Sequence, residues 1–157
     1  MNRVIPVLLL LCICGSDAAA QVAYGGCYDV NSYPVATVVD PTLVGDVAQA
    51  TFSMGVPIIR YNPQSVVPGT PQIVLSWLYL HECAHHASGQ VFAMLTGQIP
   101  YTMAIEIRAD CIATTWLQQR AGPQAKLIVQ QFLVALNNPG DQQHPPSGQR
   151  ARFIAGC

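Results

Sequence analysis

The stretch that most constrains this chain is His81-Glu82-Cys83-Ala84-His85-His86. On an α-helix, positions four apart differ by only about 40° of rotation, so His81 and His85 leave the same face one turn apart. Two imidazoles held this way can grip a single ion. Glu82, one position after His81, brings its carboxylate beside that ion rather than onto it. A helix that buries such a face must find partners for it, because unpaired buried polar groups are costly, and zinc is the expected partner. The composition points the same way. The chain has only two glutamates, Glu82 and Glu106, and three of its four histidines fall in this one stretch. Scarce ionisable residues gathered at one place do not describe a solvated surface.

At 157 residues the chain has the length of a single domain. Asn2-Arg3, the apolar run 4–13 and the small residues Ala18-Ala19-Ala20 have the form of a secretory signal peptide over residues 1–20. The run is short for a membrane span, so no stable span is expected after its removal from the mature domain, 21–157. The expected destination is outside the cytoplasm, periplasmic or extracellular. Four cysteines remain, Cys27, Cys83, Cys111 and Cys157, and an even number in an exported chain suggests disulfides. Four cysteines allow three pairings. The tendency of chain termini to lie close together favours Cys27–Cys157, and hence Cys83–Cys111. No C-x-x-C occurs. Cys83, two positions from each motif histidine, points to the opposite face of the helix and reads as structural. The formal net charge of −1, with no basic run, excludes a nucleic-acid footprint.

Along the chain, residues 21–34 read as an irregular lead-in. Asp40 as N-cap, Pro41 at the first helical position and the periodic Leu43, Val44, Val47 and Ala48 predict a first helix that stops near Gly55. Residues 56–61 read as a short strand, with Pro57 near its start. Thr70-Pro71 opens the central helix and Gly89 ends it. Thr102 is placed to cap a helix over 103–121 that Gly122-Pro123 terminates. A further helix is predicted over 124–136, and a short one after Ser147. The expected fold class is α+β, mostly α.

A zinc hydrolase takes three protein ligands and leaves a position for water. His86 follows His85 by one residue and so points about 100° away from the shared face. It is expected on the helix surface or behind the ligands. A third histidine six residues after the second is excluded, since position 91 is Val91 and position 88 is Ser88. Glu106 and Asp110 fit better. Four apart on the following helix, they share a face, and the apolar residues around them argue against a solvated one. Glu106 can coordinate the ion while Asp110 holds a histidine N–H from behind.

HExxH followed about twenty residues later by Glu106-Ile107-Arg108-Ala109-Asp110 resembles the gluzincins, the thermolysin-like zinc peptidases. The pattern is most similar to small bacterial neutral zinc metallopeptidases. His144-Pro145-Pro146-Ser147 with Arg150 is similar to a segment of the membrane-bound prenyl-protease type, although Pro146 departs from its pattern. The resemblance covers roughly residues 56–153. It implies a minimal zincin-like domain with an active-site helix, a ligand-bearing second helix and a short edge-strand sheet. It implies His81, His85 and Glu106 as Zn2+ ligands, Glu82 as general base and Asp110 behind His81. It also implies that the strand at 58–61 borders the cleft, where a peptide or protein substrate could pair with it.

The chemistry so implied is metal-assisted peptide hydrolysis, with Glu82 taking a proton from water and passing it to the leaving amine. His144, and Tyr61 or Tyr101, are candidates to stabilise the oxyanion. Arg150 is expected to pin the C-terminal helix. The competing reading is an exported, zinc-stabilised binding or assembly protein without turnover. The intact Glu82 argues against it, because a structural site needs no base.

Overall fold

The computed structural model describes residues 26–157, so the expected signal peptide lies outside the described residues. Three strands form one sheet: β1 (Ala36–Val39), β2 (Ala48–Ser53) and β3 (Val56–Tyr61), in the order β1-β3-β2. β1 runs parallel to β3 and β2 antiparallel. Five helices follow: α1 (Gln72–Ala87), α2 (Gln90–Leu95), α3 (Met103–Ala121), α4 (Gln124–Leu136) and α5 (Ser147–Ala155). The fold is α+β and mostly helical, as expected. No helix among the described residues is long and apolar enough to cross a membrane.

The helix expected after Asp40 does not form. Residues 41–47 are a loop, and β2 occupies most of the remainder. Ser53 pairs with Val56 across a two-residue turn, Met54-Gly55, in which both residues adopt positive φ (49° and 80°). That left-handed pair matches the twist of adjoining antiparallel strands, so the hairpin closes tightly. Asp40 spends its carboxylate on a turn instead of a helix N-terminus. It accepts from the Thr42 amide (2.9 Å) and hydroxyl (2.6 Å) and pairs with Arg60. The alanines that look helical in sequence serve a different end, allowing the β2 backbone to lie directly against α1.

α1 lies between the sheet and the other helices. Its apolar side, Val74, Trp77 and Leu80, packs into a core with Ala113 and Leu117 of α3, Val129 and Leu133 of α4, and Ile154 of α5. Trp77 is fully buried and its indole N–H donates to Thr114 Oγ1 at 3.0 Å, so the largest core side chain leaves no polar atom unpaired. Neither expected threonine cap forms: Thr70 Oγ1 donates back to Val67 O, and Thr102 makes no side-chain cap bond. Gly89 does end α1, in a left-handed conformation with φ 73°.

Two disulfides are present, but in the pairing not favoured by the sequence: Cys27–Cys83 and Cys111–Cys157. Helix geometry explains the correction. The histidine face of α1 points toward α3, so Cys83 on the opposite face cannot meet Cys111. It turns instead to the strap 26–35, in a cluster of Cys27, Val35 and Ile59. Proximity of termini was the weaker guide. With sequence separations of 56 and 46, each bridge restricts the unfolded chain by ~4 kcal/mol in the loop-entropy account. Two such bridges are the mark of an oxidising compartment.

Candidate metal centre

His81 and His85 leave α1 side by side, with their Nε2 atoms 3.1 Å apart. Glu106, in the first turn of α3, faces both: Oε2 is 3.1 Å from His81 Nε2, and Oε1 is 3.2 Å from His85 Nε2. All three side chains are buried, and one donor atom from each lies within 4.8 Å of the others. The bonds behind the rings decide what this cluster can do. His81 Nδ1 is 2.8 Å from Asp110 Oδ1, and His85 Nδ1 is 2.8 Å from Gln90 Oε1. A neutral imidazole carries one N–H, and in each ring the acceptor behind claims it. Both Nε2 lone pairs then face a carboxylate and one another, an arrangement that requires positive charge at its centre. The donor set therefore fits a metal ion.

The pKa shifts express the same demand. Burial opposes charge on His81, yet its bonds to Asp110 and Glu106 prevail and raise its pKa to about 10. Burial would lift the Glu106 carboxyl, but His81 and His85 hold it well below the usual carboxylate range. Without a cation, a proton on His81 balances the site, so metal and proton compete for one place.

Asp110 is fully buried and tied down in turn. Arg150, reaching across from α5, grips it with two bonds, Nε to Oδ2 at 2.9 Å and Nη2 to Oδ1 at 2.6 Å. The guanidinium also lies 4.9 Å from the centre of the Trp77 ring. Burial pushes the Asp110 carboxyl up, and Arg150 and His81 together hold it down. Arg150 thus pins α5, as expected, and it also fixes the carboxylate that orients His81.

Glu82 does not join the three donors. Its Oε2 accepts the main-chain N–H of Ala50 at 2.7 Å, so the sheet holds it at the edge of the site. It lines a cleft of about 430 Å³ together with His81, His85 and Glu106, the β2 edge, Tyr101 and His144. The edge strand of this cleft is β2 and not the strand at 58–61. β3 is paired on both sides, and its free edges are consumed by β1 and β2. Tyr61 is not among the lining residues. Tyr101 is, and its hydroxyl donates to Gln143 O at 2.7 Å. Burial and then the Glu106 carboxylate lift its pKa.

His144 rides on the loop between α4 and α5. Asp141 shapes that loop by accepting the amides of Gln143 and His144, each at 2.7 Å. Gly140 is required there: with φ at 77°, a Cβ would come within 2.5 Å of His144 O. His86 is deeply buried, and its Nε2 donates to Ile58 O at 2.9 Å, clamping α1 to β3. Burial depresses its pKa, and its Nδ1 has no hydrogen-bond partner among the described residues. It is a neutral brace, not a ligand.

No protein-family model, curated protein or solved structure matches the chain. The site therefore has to be read from its own geometry. Sequence reasoning missed two of its members. Gln90 opens the short helix α2 directly after Gly89, and an amide nine positions past His81 gives no signal of its own. Asp46 lines the cleft from a segment read as helix; its carboxyl is lifted by burial and lowered in part by His144.

Proposed function

We propose that the chain is an exported zinc-dependent endopeptidase of gluzincin type, with His81, His85 and Glu106 as ligands and Glu82 as general base. The observation that carries this reading is the division of labour among the four side chains. Three buried donors converge, while the fourth, Glu82, stays out of the cluster and faces the cleft from the Ala50 N–H. All four cysteines among the described residues are in disulfides, which leaves no thiolate to complete a four-ligand structural site.

When bound, zinc would supply Lewis-acid activation of water and of the scissile carbonyl. The chain's own residues do the rest. Glu82, with Oε2 held by Ala50, would use Oε1 to take a proton from the attacking water and return it to the leaving nitrogen. Asp110 and Gln90 fix the His81 and His85 tautomers, and Arg150 holds Asp110. Tyr101 and His144 line the cleft and are the candidate oxyanion donors, Tyr101 on release of its bond to Gln143 O. Support for export comes from the two disulfides and the N-terminal signal-like segment.

The test is metal analysis of the purified mature protein alongside cleavage of an unfolded protein substrate, with and without a zinc chelator. One zinc per chain and chelator-sensitive cleavage are expected. Glu82→Gln should retain the zinc and lose roughly 100-fold or more in rate, since proton transfer alone is worth that much. Bound zinc without any cleavage would favour the non-catalytic reading instead.

A further inference from the structure

We infer that Asp46 is the specificity-determining carboxylate of the cleft, selecting peptides with a lysine or arginine side chain beside the bond to be cut. This rests on the endopeptidase reading above and adds the substrate class to it.

Asp46 differs from every other described aspartate. Asp29 accepts the amides of Asn31 and Tyr33, Asp40 is bonded to Thr42 and Arg60, Asp110 to Arg150 and His81, and Asp141 to the amides of its own loop. Asp46 makes no hydrogen bond within the described chain. The nearest basic nitrogen is His144 Nδ1 at 4.0 Å, beyond bonding distance, and that nitrogen lies closer to Asp141 at 3.3 Å. Yet the Asp46 side chain is only 28 % exposed. A half-buried carboxylate with no donor pays for desolvation and stabilises nothing in the fold. It also stands in the same cleft as Glu82 and Glu106, whose charges repel it.

Neither lysine nor arginine lines the cleft, and the one basic side chain beside Asp46, His144, lies closer to Asp141. A cation must come from the ligand. The position of Asp46 says which kind. Ala50 turns its N–H away from β3 and into the cleft, and main-chain groups alternate along a strand, so those of Ala48 and Phe52 also face away from β3. An extended peptide laid along this edge passes Asp46, two residues before β2 begins. The opposite wall is apolar, formed by Val91, Met94, Leu95 and Ile99. The cleft therefore suits a peptide that presents one basic side chain toward Asp46 and apolar side chains toward α2.

The experiment uses zinc-loaded protein and quenched peptides identical except for lysine, glutamine or glutamate at each position flanking the scissile bond. At one position, kcat/KM for lysine should exceed that for glutamate roughly tenfold, the range of a partly exposed charge pair. Asp46→Asn should collapse that ratio, and Asp46→Lys should invert it. A ratio of two substrates on one sample is independent of the folded fraction, so a poorly folding variant still gives an answer. Cleavage with no lysine preference, or a preference that Asp46→Asn leaves intact, overturns the inference while the endopeptidase reading stands. If no peptide is cut, that reading fails and fluorescence anisotropy of the same peptides decides the inference. Tighter binding of the lysine peptide, lost in Asp46→Asn, supports it; equal binding overturns it.

Discussion

The helical layer and the sheet layer meet along α1, and they treat its polar residues differently. The helical side holds His81 and His85: α3 brings Glu106 and Asp110, α5 brings Arg150, and α2 brings Gln90. Every one of these contacts is made by a side chain deep in the structure. The sheet side holds Glu82 and His86, and it does so with main chain, through Ala50 N–H and Ile58 C=O. The difference teaches that the place for the proposed ion and the place for the proposed base are built by separate parts of the fold. Substitutions in one layer should therefore change metal content, and those in the other should change turnover at constant metal content.

The largest effect is expected on the helical side. Glu106→Ala should lose its metal on dialysis, with affinity falling beyond the roughly 100-fold typical of residues that only support a ligand. Equal zinc in variant and wild type would remove Glu106 from the ligands and break the comparison at its base. Asp110→Asn comes next. It should weaken metal binding on the order of 10–100-fold. It should also cost about 3–5 kcal/mol in denaturant unfolding, because Arg150 is left without its buried counter-charge. Unchanged stability there would mean that Arg150 finds another partner.

Ala50→Pro probes the sheet side. It deletes one N–H that the sheet ladder does not use, on an edge where proline is tolerated. Zinc content should hold while kcat falls by about tenfold, the base having lost the donor that positions it. Loss of zinc in this variant would show that the two layers are not separable. Asp40→Asn, which touches the sheet through Arg60 but neither the three donors nor Glu82, should have the smallest effect. Bonds from Thr42 and Arg60 lower the Asp40 pKa to about 2. Its contribution to stability is therefore present above the ordinary carboxylate pKa of ~4 and lost as pH falls through about 2. The gap between wild type and variant in thermal unfolding should close over that window. A gap that persists at the acid end would point to a cause other than the ionised carboxylate.

The same division marks what the sequence could tell. α1, α3 and α4 are legible because their apolar positions recur at helical spacing and glycine or proline bounds them. The HExxH histidines, Glu106 and Asp110 follow from that periodicity and do converge, while Glu82 stands at the edge. On the sheet side the strand over 56–61 is legible and forms as β3, but the signals before it mislead. Ala48 and Ala50 carry helical propensity, and only pairing with β3 makes them a strand, a tertiary choice that no local pattern encodes. Asp40-Pro41 looks like a helix start because a side chain that caps a helix also closes a turn. Main-chain groups that hold side chains, such as Ala50 N–H and Ile58 C=O, have no residue-type signature at all. The disulfide pairing was within reach: the rotation that sends Cys83 away from the histidines also sends it away from Cys111.

That bridge has a mechanical consequence. Cys83 sits between His81 and His85 in sequence, and its bond to Cys27 staples the middle of the motif to the strap that runs into β1. With Val30 N–H donating to His86 O and His86 donating to Ile58 O, this end of α1 is fastened to the strap at two points and to the sheet at a third. Widening of the mouth to admit a chain is thereby left to the other wall, where Gln90 ties α2 to His85 and Tyr101 ties the loop bearing His144 through Gln143 O.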